Sequence, residues 1–215
     1  MNISVLVGTC DSYLKFVPNF VSLANKYFEP NVERIIIGET IKEEYGGYKF
    51  ITPGKLQWGE RMLVGLNEVK TKYVFFALED YYLSQKLSVD FISWLMQFMG
   101  RENAKKLMLS CVPDFAQYQY SRTIDTIKQM SPRSNWLASI QPAIWDVEHL
   151  KSIILPEYSP WDFEIKASEI LRHHEMNHYV IKLDEPIYFN FVRKGGVLSD
   201  GWSQFLNNEG LKLTN

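Results

Sequence analysis

The chain has 215 residues, which is enough for one domain with a substantial hydrophobic core and too few for two domains of ordinary size. Its 46% hydrophobic and 22% charged residues are typical of a folded soluble protein, and its net charge of −2 excludes a basic protein that binds nucleic acid. The 6 Trp and 12 Tyr would suit a protein that stacks on sugar or nucleotide rings, but a large core uses the same residues.

Signals for export and for a membrane-spanning helix are missing from the sequence. Residues 1–8 lack the basic region and the long apolar run of an export signal, and no stretch of about 18 consecutive apolar residues occurs. We therefore expect a cytoplasmic protein, and peripheral association with the inner face of a membrane is compatible with that location. Cys10 and Cys111 lie near the ends of predicted buried strands, so we expect both to be reduced core residues.

The first forty residues predict a β-α-β unit with parallel strands. Residues 3–7 form a β-branched run, and the polar corner Cys10-Asp11-Ser12 that follows supplies helix-capping side chains. Apolar residues then recur at helical spacing, and Pro18 either kinks this helix or marks its first turn. Residues 34–37 predict the second strand, which ends at a polar corner that contains Glu39.

The most apolar stretch of the chain follows a predicted helix over residues 58–70. Residues 73–78 are aromatic and β-branched, which is typical of a strand buried on both faces of a parallel sheet. The adjacent carboxylates Glu79 and Asp80 come directly after it. Because ligands of open α/β sheets bind beyond the carboxyl ends of the strands, this pair is placed to hold Mg²⁺ or Mn²⁺ beside nucleotide phosphates. A solvated acidic loop would give the same local sequence.

Beyond residue 80 the pattern continues to alternate helices and strands. It predicts a helix over residues 87–99 and a strand over residues 106–112. Residues 113–132 mix polar and aromatic types, and we expect an irregular flap there. Residues 136–145 include Pro142, which favours an edge strand because proline cannot donate to a ladder.

The last third of the chain begins with a short helix that Asp146 caps. Ser159-Pro160-Trp161-Asp162 predicts a second helix start, with serine as the cap, proline at the first helical position and an acid that closes a capping box. We expect this helix to reach His174, and two strands to follow over residues 179–183 and 187–192.

The stretch His174-Glu175-Met176-Asn177-His178 has the spacing of the zinc protease motif H-E-x-x-H. Zinc binding of this kind requires both histidines on one face of a continuous helix. Asn177 favours a helix stop and Tyr179 begins a strand-like run, so the local sequence argues against a zinc site.

Several segments, taken together and in order, resemble bacterial glycosyltransferases of the GT-A fold that build surface polysaccharide or lipopolysaccharide. They are Gly8-Thr9-Cys10-Asp11, the helix with Trp58 and Arg61, Leu78-Glu79-Asp80-Tyr81, Gln141-Pro142-Ala143-Ile144-Trp145 and Trp161-Asp162-Phe163-Glu164. The resemblance covers most of the chain. It implies an α/β, Rossmann-like GT-A domain over residues 1–215, with a mainly parallel central sheet flanked by helices. Its donor half would span residues 1–100 or so and its acceptor half the remainder.

The resemblance also implies a nucleotide-sugar donor and a saccharide or lipid-linked acceptor. Glu79-Asp80-Tyr81 matches the metal-binding Asp-x-Asp signature, with Asp80 the first candidate ligand, although Tyr81 stands where a second acid is often found. The side chains that would bind the donor nucleotide, its diphosphate or its cation are Thr9, Asp11, Glu39, Arg61, Glu79, Asp80, Arg193 and Lys194.

Catalysis in an inverting enzyme of this kind would use a carboxylate base at the start of the helix near residue 160. That base takes the proton of the acceptor hydroxyl as it attacks the anomeric carbon. Asp162 and Glu164 are both candidates, although the capping box already explains an acid at Asp162. The candidate platforms for the acceptor sugar are Tyr118, Tyr120, Trp136 and Trp161.

Two functions of other classes are alternatives. A sugar-phosphate nucleotidyltransferase would use the same sheet and metal, but would ordinarily carry a glycine-rich, basic loop after its first strand. Gly8-Thr9-Cys10-Asp11 is acidic and has a single glycine. A non-catalytic carbohydrate-binding relative would keep the aromatic residues and lose the catalytic carboxylates.

Overall fold

The computed structural model describes residues 1–41, 45–110, 120–124, 126–174, 177–183, 185–193, 197–198 and 201–212. The strands are β1 (Ile3–Gly8), β2 (Arg34–Ile37), β3 (Lys49–Ile51), β4 (Tyr73–Leu78), β5 (Tyr81–Leu83), β6 (Lys106–Ser110), β7 (Tyr120–Ile124), β8 (Ile127–Met130), β9 (Ala143–Asp146), β10 (His178–Lys182), β11 (Tyr188–Asn190), β12 (Val192–Arg193) and β13 (Val197–Leu198).

The α-helices are α1 (Val17–Tyr27), α2 (Trp58–Glu68), α3 (Val89–Arg101), α4 (Val147–Ile153), α5 (Pro160–Asp162), α6 (Ser168–Leu171) and α7 (Trp202–Glu209). A 3₁₀ helix, Asp11–Phe16, precedes α1, and a π-helical turn, Phe163–Ala167, joins α5 to α6. In the parts of the chain that the structure describes, no helix has the length and apolarity that crossing a membrane requires.

The central sheet has nine strands among the described residues, in the order β3-β2-β1-β4-β9-β6-β10-β8-β7. β1 lies between β2 and β4 and is parallel to both. β9 and β8 are antiparallel to their neighbours, and the other strands share one direction. The sheet is therefore mostly parallel, which confirms the predicted α/β domain with a central sheet flanked by helices.

Hydrophobic clusters cover both faces of this sheet. Phe75 of β4 belongs to the cluster that contains Leu95 of α3, and Phe76 belongs to the cluster that contains Met62 of α2. Successive side chains of a strand point to opposite faces, so β4 is buried on both sides, as predicted. This burial places the residues that follow β4 at the carboxyl edge of the sheet.

The predicted edge strand over residues 136–145 is wrong. The strand is β9, which lies inside the sheet between β4 and β6. Pro142 precedes β9 and therefore needs no N–H donor, while its carbonyl accepts from the Leu109 N–H at 3.1 Å. Proline is compatible with an interior strand here because it stands just before the ladder.

The predicted irregular flap over residues 113–132 is also wrong where the structure describes it. β7 and β8 form an antiparallel pair, and β7 is the edge strand of the central sheet. Residues 111–119, which include Cys111 and Tyr118, lie outside the described residues. A polar strand is typical of a sheet edge because one of its sides is exposed to water.

The helix predicted to run to His174 is shorter and changes its geometry. α5 begins at the predicted capping box, in which Asp162 N donates to Ser159 Oγ and Ser159 N donates to the Asp162 carboxylate, both at 3.1 Å. The π-helical turn follows, and α6 ends at Leu171. His178 is the first residue of β10, so the histidines of the H-E-x-x-H stretch do not share a helix; Glu175 and Met176 lie outside the described residues.

Several elements escape the sequence patterns. β3 lies between the second predicted strand and the predicted helix over residues 58–70, where we predict no strand, and β11 pairs with β5 rather than joining the central sheet. α7 packs against α1, where Glu209 accepts hydrogen bonds from Lys26 Nζ at 2.8 Å and Tyr27 Oη at 2.7 Å. The β5–β11 pair matters for the site because it starts directly after Glu79 and Asp80.

Candidate active site

A cleft of about 540 Å³ lies beyond the carboxyl ends of β1 and β4. Gly8 and Thr9 after β1 line one wall together with Glu79 and Asp80 after β4. Other lining residues come from the start of the 3₁₀ helix, from α2, from the α5 and π-helical segment, from Ile140, and from the end of β11 and the start of β12. The structure thus brings distant parts of the chain to the edge of the sheet where open α/β folds bind ligands.

Glu79 and Asp80 are held in this cleft with little access to water. Glu79 is only 4% exposed, and burial raises its pKa well above its usual range, with a further contribution from the charge of Asp80. Burial also raises the pKa of Asp80 to about 6. Asp80 Oδ2 accepts from Asn190 Nδ2 at 3.3 Å, whereas its buried Oδ1 has no hydrogen-bond partner among the described residues.

This arrangement fits a divalent cation. Adjacent buried carboxylates are costly to ionise unless a positive charge compensates them, and the unpartnered Asp80 Oδ1 is available as a ligand. No group of three or more His, Cys, Asp or Glu side chains that could hold a metal occurs in the described ranges. Mg²⁺ and Mn²⁺ commonly use one or two carboxylates and complete their shell with phosphate oxygens and water, so the pair suffices if a nucleotide is bound.

The predicted nucleoside corner is a hydrogen-bonded network behind the cleft wall. Glu39 accepts from the Asp11 N–H at 2.8 Å and from Arg61 Nη1 at 3.1 Å. The Asp11 carboxylate accepts from the N–H and the hydroxyl of Thr40 at 3.0 and 2.8 Å. Thr9 lines the cleft, but neither Asp11 nor Glu39 is among its lining residues. Their carboxylates hold the shape of the corner that carries Thr9.

Arg61 is a buried side chain and not an ordinary surface arginine. It is 4% exposed, its Nη1 donates to Glu39 and to the Leu56 carbonyl at 3.0 Å, and it lines the cleft. Its Nε is buried without a hydrogen-bond partner in the described part of the chain. Arg61 therefore brings a positive charge to the wall near the two carboxylates.

The two candidate bases are in different environments. Asp162 does not line the cleft; hydrogen bonds from Lys166 and Ser159 lower its pKa to about 2, and its Oδ1 lies 2.7 Å from Lys166 Nζ. Glu164 lies in the π-helical turn and lines the cleft. Its Oε1 accepts from Ser139 Oγ at 3.2 Å and from Ile140 N at 2.9 Å. Of the two, Glu164 is the carboxylate that a bound substrate could reach.

The predicted aromatic platforms are not all brought to the cleft. Trp161 is 63% exposed and lines it, whereas Trp136 is exposed and is not among the lining residues. Tyr120 belongs to β7 at the edge of the sheet, and its side chain lies outside the described part of the structure, as does all of Tyr118. Of the predicted platforms whose side chains the structure describes, Trp161 is the one that lines the cleft, as Glu164 does.

The predicted basic loop cannot be placed. Arg193 belongs to β12, but its side chain is outside the described part of the structure, and Lys194 lies outside the described residues altogether. Their proposed contact with a diphosphate therefore remains a prediction from the resemblance.

Sequence reasoning missed two contributors to the site. Asn190 at the end of β11 lines the cleft and contacts Asp80, and its only sequence signal is a polar residue after a short apolar run. Cys10 was expected in the core, but it is partly exposed, lines the cleft and lies 3.2 Å from Ser12 Oγ. Burial raises the pKa of its thiol, so the thiolate is disfavoured.

Solved structures share this fold over most of the chain. Residues 1–349 of TarS from S. aureus, in complex with UDP-GlcNAc, match at 18% identity and a TM-score of 0.59 over 91% of this chain and 60% of that one. A mannosyltransferase from Pyrobaculum calidifontis in complex with GDP-Man and Mn²⁺ matches at 9% identity and a TM-score of 0.58, covering 91% and 58%.

A third similar structure is that of a cytidylyltransferase. The 2-C-methyl-D-erythritol 4-phosphate cytidylyltransferase from Thermus thermophilus matches at 13% identity and a TM-score of 0.54, over 90% of this chain and 94% of that one. No protein-family model and no curated protein sequence matches the chain. The chain spans about 60% of the length of the TarS and mannosyltransferase structures. At these identities the likeness shows the fold, which is the predicted Rossmann-like α/β fold.

Proposed function

We propose that the protein is a glycosyltransferase that moves a sugar from a nucleotide-diphosphate donor to a saccharide or lipid-linked acceptor, with inversion at the anomeric carbon. The observation that carries this proposal is that two kinds of carboxylate line one cleft: the buried pair Glu79 and Asp80, and the separate Glu164. Transfer of a sugar needs positive charge on the leaving diphosphate and a base on the acceptor hydroxyl, and these carboxylates can provide both.

The donor end of the cleft is assigned to the wall formed after β1 and β4. Asp80 and Glu79 would hold a divalent cation, which supplies positive charge to the leaving diphosphate when it is bound. Thr9 and Arg61 would contact the nucleotide, and Asp11 and Glu39 would keep the corner in shape. The complexes of similar structures with UDP-GlcNAc, and with GDP-Man and Mn²⁺, support a donor of this class.

The acceptor end is assigned to Glu164 and Trp161. Ser139 Oγ and Ile140 N donate hydrogen bonds to Oε1 of Glu164. Oε2 of Glu164 is therefore the atom that would take the proton. The acceptor oxygen forms a bond to the anomeric carbon, the bond from that carbon to the diphosphate breaks, and the diphosphate leaves with the electron pair. The exposed indole of Trp161 offers a flat face to a sugar ring.

A nucleotidyltransferase remains a second candidate because the match to the cytidylyltransferase covers 94% of that protein. Its reaction would also use the carboxylate pair and a cation. It would not require a base at Glu164, and the acidic corner after β1 differs from the glycine-rich, basic loop that such enzymes ordinarily have. A role in surface polysaccharide synthesis, a cytoplasmic location and association with a membrane stay expectations of the glycosyltransferase proposal.

A donor screen tests the proposal. Calorimetry with UDP-sugars and GDP-sugars, with and without Mn²⁺, should find one donor that binds the wild-type protein and binds Asp80→Asn at least about tenfold more weakly, since the variant loses a cation ligand. Failure to bind any nucleotide-diphosphate sugar would overturn the proposal. Release of pyrophosphate from a nucleoside triphosphate and a sugar phosphate would instead identify a nucleotidyltransferase.

A further inference from the structure

Lys106 is a buried lysine on an interior strand of the sheet, and the proposed reaction does not use it. It is the first residue of β6, its exposure is 0%, and its neighbours in the ladder are Trp145 of β9 and His178 of β10. Its Nζ lies 4.7 Å from the centroid of the Trp145 ring. A buried ammonium group is costly, so its presence calls for specific partners.

Those partners are backbone carbonyls of one short segment. Lys106 Nζ donates to the Leu137 carbonyl at 3.0 Å and to the Ser139 carbonyl at 3.2 Å. We call residues 137–140 the base-holding loop. The same loop is tied to α6, because Ala138 N donates to Ser168 Oγ at 2.9 Å.

The base-holding loop is also the segment that binds Glu164. Ser139 Oγ and Ile140 N both donate to Glu164 Oε1. The carbonyl of Ser139 therefore accepts a hydrogen bond from Lys106, and its hydroxyl donates one to Glu164. Ser139 thus connects Lys106 on the interior strand β6 to Glu164 in the cleft.

The charges around Lys106 agree with this connection. The titratable groups that face it are His178 of β10, His149 of α4 and Glu164. Burial keeps the pKa of both histidines low, so neither carries a positive charge at neutral pH. Burial lowers the pKa of Lys106 to about 7, and the negative charge of Glu164 acts in the opposite direction.

We propose that Lys106 is a positioning residue for Glu164. It anchors the base-holding loop from inside the sheet, so that Ser139 and Ile140 fix Oε1 of Glu164 and leave Oε2 directed to the acceptor. The proposal rests on the proposed function of Glu164 as the base. Lys106 itself touches no substrate.

The test compares Lys106→Met with Lys105→Met. Lys105 is the preceding residue; its ammonium lies 3.5 Å from Asp146 and has no described contact with the base-holding loop. In Lys106→Met we expect hydrogen exchange of the Ile140 amide to become at least about tenfold faster, because the loop loses its anchor. We also expect kcat to fall about 10- to 100-fold with an unchanged KM for the donor. Lys105→Met should keep wild-type values.

The pH profile separates positioning from general damage. Lys106→Met removes a buried positive charge that interacts with Glu164, so the acidic limb of kcat should move to higher pH in this variant and stay in place in Lys105→Met. If Lys106→Met does not fold, Ser139→Ala, which removes one donor to Oε1, should show the same fall in kcat with an unchanged donor KM. Unchanged Ile140 exchange in Lys106→Met, or unchanged kcat in Ser139→Ala, would overturn the proposal.

The outcome also distinguishes this proposal from the proposed function. If Glu164→Gln keeps full transfer activity, the role of Glu164 as base is wrong and the positioning proposal falls with it. If Glu164→Gln is inactive while Lys106→Met keeps wild-type exchange at Ile140, the base is supported and only the positioning role of Lys106 is overturned.

Discussion

Glu164 and Asp162 stand two positions apart and have opposite surroundings. Asp162 closes a capping box and forms an ion pair with Lys166 outside the cleft, so the negative charge of its carboxylate is already compensated. Glu164 faces the cleft from the π-helical turn, where one of its oxygens is held by the base-holding loop. π-Helical turns inside α-helices are frequent at functional sites.

The first prediction separates these two residues. Glu164→Gln should lower kcat about 10²- to 10⁴-fold and leave donor affinity unchanged, because an amide cannot take the acceptor proton. Asp162→Asn should retain most of the transfer activity and lose some stability, because it weakens the capping box. Steady-state kinetics together with donor titration measures both. Equal loss of kcat in the two variants would contradict the assignment.

The second prediction concerns the effect of the buried Asp80 carboxylate on the stability of the folded protein. The pKa of Asp80 in the folded protein is about 6, above its usual value, so its ionisation destabilises the fold as pH rises from about 4 to about 6. At pH 7 without a cation, Asp80→Asn should therefore raise the free energy of unfolding by about 1–2 kcal/mol. Urea unfolding measures it.

Addition of Mn²⁺ should make the wild-type protein more stable than Asp80→Asn. The ion should stabilise the wild-type protein and have little effect on Asp80→Asn, since a ligand that binds only the folded state adds to its stability. Asp90→Asn is a matched control, because Asp90 is exposed in the first turn of α3 and no described contact joins it to the cleft. A wild-type protein that Mn²⁺ does not stabilise would argue against the cation.

At the scale of elements, short polar signals determine where the cleft-lining segments begin. Ser159 caps α5, which carries Trp161 and leads to Glu164, and Ser88 caps α3 in the same way by accepting from the Phe91 N–H at 3.1 Å. Both serines accept from the N–H of the third residue of their helix, although only Ser159 also belongs to a capping box, and the cleft-lining residues do not include any from α3.

The third prediction uses this pair of caps. Ser159→Ala and Ser88→Ala should each cost about 1 kcal/mol of stability, because each leaves N–H groups of a first turn without an acceptor. Only Ser159→Ala should also lower kcat, since it loosens the segment that carries Glu164. Thermal unfolding and kinetics on both variants test this, and an equal effect on kcat would show that the loss follows stability alone.

At the scale of the whole molecule, the fold buries titratable groups in the sheet as well as in the cleft. His178 is fully buried, and its Nε2 lies 2.8 Å from Nε2 of His149 on α4. Burial lowers the pKa of His149 to about 4 and that of His178 well below its usual range. The pair links α4 to the interior strand β10, and its hydrogen bond requires that one of the two facing nitrogens carries a proton and the other does not.

The fourth prediction is a loss of stability in mild acid. The unfolded chain binds a proton at His149 near pH 6.5, whereas the folded chain does so only near pH 4, so the free energy of unfolding falls as pH drops through this window. Glu79 and Asp80 contribute with the opposite sign, because their folded pKa values are raised. The histidine contribution is therefore isolated by comparison with His149→Asn.

Urea unfolding of both proteins at pH 7.5 and pH 5 measures this contribution. The wild-type protein should lose about 1–3 kcal/mol more than His149→Asn between the two pH values. Equal losses would mean that the imidazole of His149 titrates in the same range in the folded and unfolded chains.

The sequence by itself determined the elements whose signals are local. The apolar runs of β1, β2 and β4, the spacing of α2 and the caps at Asp146 and Ser159 are properties of neighbouring residues, and the structure confirms them. Because Glu79 and Asp80 directly follow β4, their place at the carboxyl edge of the sheet was also predictable.

Only the tertiary structure decided the order of the strands and the contacts between residues that are distant in the sequence. Strand order depends on long-range pairing, so β9 could be placed between β4 and β6 only in the folded chain. Asn190 reaches Asp80 across 110 positions of sequence, and Lys106 reaches the base-holding loop across the sheet. Neither contact leaves a local pattern, because the energy of a buried polar contact depends on which partners the fold brings together and not on the residues beside it.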